Sequence, residues 1–80
     1  MNDLTTINLH AIKYDIPKTS RVKITIFDLL GREVELLVNE RKEPGSYEVQ
    51  WNASNYASGA YFYKLETENY TDIKKMILVK

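Results

Sequence analysis

The amino-acid sequence predicts an all-β fold, an antiparallel sandwich or barrel of six to seven short strands. Three observations carry that expectation. Apolar residues recur with a period of two rather than about 3.6. Turn-forming residues punctuate the chain at roughly 8–14-residue intervals. No alternation of strand and helix of the βαβ kind is visible.

The elements follow in order. Leu4 to Leu9 offers an amino-terminal strand, but Ile7 and Leu9 are out of phase with Ile12 and Tyr14, so a bulge near His10-Ala11 is expected between them. Ile12, Tyr14 and Ile16 alternate with Lys13 and Asp15, and Pro17 ends the run because it lacks the ladder N–H. Val22, Ile24 and Ile26 alternate with Lys23 and Thr25 in the same way. Asp28-Leu29-Leu30-Gly31 then puts glycine where a turn can use positive φ. Glu33 to Val38 forms the next run. Leu30, Val34, Leu37 and Val38 come near helical spacing, but Gly31 and the β-branched valines favour a strand. Glu43-Pro44-Gly45 is a turn, followed by Tyr47, Val49 and Trp51 on one phase. Tyr61, Tyr63 and Leu65 share the next phase, and Asp72 to Val79 is the last strand.

Composition narrows the function. The chain has 80 residues, enough for one small domain. A chain of this size buries only roughly 60% of its unfolded surface, which leaves little room for a deep pocket. Eleven basic residues balance eleven acidic ones, so the total charge attracts neither nucleic acid nor an anionic membrane. There is no cysteine, which removes disulfides, thiolate metal sites and cysteine nucleophiles. The start, Met1-Asn2-Asp3-Leu4, has no basic and apolar leader, so a secreted protein would carry this chain as a fragment of a larger precursor.

Chemistry-bearing residues are sparse. His10 is the one histidine, so a histidine metal cluster is excluded and catalysis is not expected; it reads as a strand-surface or edge residue. No serine lies in a nucleophile elbow. Glu33, Glu35, Glu48, Glu66 and Asp72 fall mostly on polar phases or in turns, and paired acid–base carboxylates would need a cleft to converge in. Neither a catalytic residue, a metal site nor a cofactor site is expected. The aromatic residues are better placed for the core: Trp51, Tyr61 and Tyr63 lie on apolar phases, and Trp51→Ala should cost about 3–5 kcal/mol.

Several stretches, taken together and in order, resemble a known family. They are Ile12 to Pro17, Phe27 to Val34, Leu37-Val38-Asn39, Pro44 to Val49, Ala57 to Leu65 and the ending Lys74 to Lys80. The resemblance is to the type A C-terminal sorting domain of the type IX (Por) secretion system, and it covers about residues 11 to 80. It implies an immunoglobulin-like antiparallel β-sandwich without activity of its own, placed behind an amino-terminal cargo domain. The partners it implies are the outer-membrane type IX translocon and a sortase-like peptidase, with no nucleic acid. The implied destination is the cell surface or the exterior, by way of periplasm and outer membrane. By the same resemblance, recognition is expected at Gly59, Tyr61, Tyr63 and Leu65, and at Lys74, Lys75, Met76, Leu78 and Lys80 in the terminal strand.

One departure is clear. The family usually opens with an asparagine-proline-phenylalanine-asparagine-proline segment, whereas Asn2 to His10 has neither proline nor phenylalanine. Loss of a pairing segment would leave an edge open, so a monomer with a tendency to dimerise through the first or last strand is expected. The alternative to a sorting role is a structural or adhesive module similar to the immunoglobulin-like domain of flagellar hook-capping proteins. Those relatives usually have a longer glycine- and aspartate-rich loop before the Ala-Ser-Gly motif. The short Asn52 to Tyr56 stretch favours sorting, as does an ending directly after the last strand.

Overall fold

Alternation fixes which side of each strand avoids water, and the pairing register then decides which alternating sets meet. In the computed structural model, which describes residues 9–79, six strands form two antiparallel sheets with no helix among those residues. The strands are β1 (Leu9–Ile16), β2 (Ser20–Asp28), β3 (Glu33–Lys42), β4 (Gly45–Asn52), β5 (Gly59–Glu66) and β6 (Thr71–Leu78). β1 pairs with β4, and the larger sheet runs β3-β2-β5-β6. This is the predicted all-β architecture, compatible with an immunoglobulin-like sandwich. The segment from Leu4 to Asn8, expected as a further strand, lies outside the described residues.

The core lies between the sheets. Ile12, Tyr14 and Ile16 of β1 meet Val22, Ile24 and Ile26 of β2, with Trp51, Tyr61, Leu65 and Leu78 closing the cluster. All of these are at least nine-tenths buried, and Trp51 is completely so. Fully burying one such side chain is worth roughly 1.5–3 kcal/mol, so these few residues supply much of the stability of so small a domain.

Two expectations on local geometry meet different outcomes. The β1–β4 register runs unbroken from Leu9↔Asn52 to Ile16↔Gly45, so there is no bulge at His10-Ala11. His10 itself takes the inward phase, its ring 5.9 Å from that of Trp51, and Leu9 points outward instead. The irregularities sit in β3, where the register shifts twice against β2, between Ile24 and Thr25 and between Ile26 and Phe27. Leu37 and Val34 are the extra residues, and both pack on the core. That explains the near-helical spacing of Val34, Leu37 and Val38: two bulges break the period of two in a strand.

Candidate interaction surface

The β2–β3 turn is built around one carboxylate. Asp28 Oδ1 accepts from the Leu30 and Arg32 amides at 2.9 Å each, and Oδ2 accepts from Arg32 Nε at 2.8 Å. The Arg32 amide foremost, then the Arg32 guanidinium and the Leu30 amide, hold the Asp28 carboxyl below its usual range. Gly31 completes the turn at φ +82, as its sequence position predicts. The turn pushes Leu29 and Leu30 into solvent, 66% and 76% exposed. An open groove of about 280 Å³ separates it from Ser58, Gly59, Ala60 and Tyr61 at the start of β5.

A polar seam anchors the segment leading into β5. Trp51 Nε1 donates to Glu35 Oε1 at 3.1 Å, and the Tyr56 hydroxyl lies 3.0 Å from the same oxygen and 3.1 Å from the Val34 carbonyl. Burial, then the Glu35 hydrogen bond, raises the Tyr56 pKa. The Tyr61 hydroxyl donates to the Ala57 carbonyl at 2.7 Å, so the loop closes on its own strand. Gly59 follows at φ +148 with open space where a Cβ would stand.

At the other end, the Ser20 hydroxyl accepts from the Glu68 amide at 3.0 Å and Tyr70 donates to the Asp15 carbonyl at 3.0 Å, tying the β5–β6 turn to β1 and β2. Between β1 and β6 runs a second open groove, about 260 Å³, with Tyr63, Leu65, Lys74 and Tyr70 among its walls.

The residues expected to mediate recognition therefore divide by place. Tyr63, Leu65 and Lys74 come together in the β1–β6 groove, and Gly59 and Tyr61 border the groove beside the β2–β3 turn. Tyr61, Leu65 and Leu78 belong to the core, and Met76 packs against it. Lys74 and Lys75 are exposed, on opposite sides of β6. Lys80 lies outside the described residues.

The outer face of the larger sheet is the feature that this expectation missed. Register places Leu36, Phe27, Phe62, Ile73 and Ile77 on it, opposite to the core phase. Leu36, Ile73 and Ile77 are 44%, 60% and 58% exposed. The corresponding face of β1 and β4 carries Lys13, Asp15, Ser46, Glu48 and Gln50. A signal was present in the sequence, since β5 and β6 carry apolar residues on both phases where one suffices for a core.

Among the described residues no group of three His, Cys, Asp or Glu side chains could hold a metal. Open grooves, a carboxylate-centred turn and an apolar sheet face are means of being recognised by another molecule. A family model described as a secretion system C-terminal sorting domain matches residues 1–80. No curated protein and no solved structure matches the chain. Nothing favours the purely structural module weighed against a sorting role. The chain belongs to the secretion system C-terminal sorting domain family, and it is a sorting signal for export by type IX secretion to the cell surface or the extracellular space.

Proposed function

We propose that residues 1–80 are a single sorting domain at the carboxyl end of a larger secreted precursor. An amino-terminal cargo domain is what it delivers. The outer-membrane type IX translocon reads the domain, and a sortase-like peptidase then acts on it; the domain itself catalyses nothing. The observation that carries this reading is the family match along the whole sequence.

Recognition uses Gly59, Tyr63, Lys74, Lys75 and Met76, all wholly or partly accessible. Tyr61, Leu65 and Leu78 act from the core by fixing the strands that present them, and Lys80 belongs to the same terminal set. Among the described residues β1 pairs only with β4 and β6 only with β5, which supports edge-to-edge dimers through either strand. Light scattering at high concentration should then show a dimer; a strict monomer rejects it.

The test of sorting is a reporter carrying residues 1–80 at its carboxyl end, expressed in a host with type IX secretion. The controls are the reporter alone and the fusion ending before Lys74, with folding followed by circular dichroism. Export of the full fusion alone supports the sorting role. A folded full fusion that stays in the periplasm removes it.

A further inference from the structure

The outer face of the β3-β2-β5-β6 sheet is apolar at its middle and basic around it, an arrangement invisible in a formal charge of zero. One cross-strand row reads Leu36, Thr25, Lys64, Ile73, and the next reads Glu33, Phe27, Phe62, Lys75. Toward the start of β2, Arg21 stands directly opposite Arg41. Like charges placed opposite each other on one face destabilise a sheet. Among the described residues, Arg21, Lys23, Arg41 and Lys75 make no ion pair. Glu66 offsets part of this charge, standing opposite Lys23 and 3.7 Å from the Lys64 ammonium, so the face keeps a basic excess rather than an unopposed positive border.

Beneath the centre of the same face lies a polar group closed off from solvent. Thr25 is only 1% exposed, yet its hydroxyl has no hydrogen-bond partner in the structure. It sits on the outward phase of β2 between Leu36 and Lys64. Native domains leave few buried hydroxyls unpaired, and each such group has a cost.

We propose that this face docks a folded partner protein whose own surface presents apolar side chains bordered by carboxylates. Charge complementarity selects that occupant. A second copy of the chain would bring the same arginines and lysines; among the described residues Glu33 and Glu66 on that face, and Glu68 in the groove beside Arg21 and Lys23, are too few to meet them all. The same glutamates count against an anionic bilayer, where every carboxylate on the contact surface is repelled. The inference takes its setting, the cell envelope, from the sorting role, but the contact itself is read from this face alone.

The experiment places a photo-crosslinking residue at Ile77 on this face, or at Gln50 on the outer face of β4, in the full cargo fusion. Both fusions are irradiated in cells of a host with type IX secretion. The expected result is a protein adduct from Ile77 and none from Gln50. Lys64→Glu with Lys75→Glu should reduce the adduct yield roughly tenfold. Because Lys75 is exposed and unpaired, Lys75→Glu alone serves if the double variant misfolds.

Equal adducts from both faces, no adduct, adducts only with a second copy, or a yield indifferent to charge reversal would each overturn the proposal. So would charge-dependent binding of residues 1–80 to phosphatidylglycerol vesicles without a protein adduct. Export is scored in the same cultures. A fusion that crosslinks from Ile77 but stays in the periplasm keeps the docking face and removes the sorting role. Loss of the adduct on charge reversal with export undiminished keeps the docking face as a contact that sorting does not need.

Discussion

Glu35 shows how one side chain joins separate parts of the chain. Its Oε1 receives the Trp51 indole N–H and lies 3.0 Å from the Tyr56 hydroxyl, linking β3 to β4 and to the loop before β5. Hydrogen bonds to a charged acceptor are worth more than neutral ones, so this oxygen repays its partial burial. Thr25 is the opposite case, a buried hydroxyl with no bond to repay it. Thr25→Val keeps the β-branched shape and removes the unpaired group, so the isolated domain should gain about 1 kcal/mol in urea denaturation. A loss of that size would mean that the hydroxyl is bonded after all.

At the scale of elements, the β2–β3 turn depends on ionised Asp28. Its folded pKa is depressed, so the native state releases the proton more readily than the unfolded chain. The contribution is fully present above the unfolded value of about 3.9 and disappears as pH falls through the lower folded value. Thermal melts from neutral pH to pH of about 2 should show stability falling in that window. Asp28→Asn should flatten this part of the profile, and an unchanged slope would show that other carboxylates set it. The two bulges of β3 belong to the same scale. They let Val34 and Leu37 join the core from an edge strand and twist that strand away from simple edge pairing. In β1 the outcome is simpler: Trp51 gives His10 an aromatic neighbour, so the strand continues inward-outward without a kink.

For the whole molecule, the strands of the larger sheet have unequal duties. β2 is hydrogen-bonded on both sides and carries the most deeply buried aliphatic residues, whereas β6 has one described neighbour. Amide hydrogen exchange should therefore be slowest in β2 and faster along β6, where half of the backbone groups face away from β5. Equal protection of β6 and β2 would point to a strand covering that edge, as an edge-paired dimer would provide. Lys74 and Lys75 also discourage indiscriminate pairing there, so the terminal strand can be both accessible and soluble.

Six strands, the inward phases of β2, β4 and β5 and the principal turns were legible in the order of the amino acids, whereas the bulges of β3 and the inward phase of His10 were not. The period of two, Gly31 in its turn, and Trp51, Tyr61 and Leu65 on apolar phases are local properties, and burial followed them because no other arrangement removes those side chains from water. Six ordered motif resemblances also made the family legible, and it is the one whose model matches. Packing of the two sheets set where the expected recognition residues lie, because a residue's accessibility depends on what is stacked over it. Tyr61 and Leu78 went to the core while Lys75 went to the outside. Strand pairing decided that Leu36, Phe27, Phe62, Ile73 and Ile77, scattered over four strands, share one face with a basic border. That face arises from cross-strand register, a long-range property that neither composition nor the charge total contains.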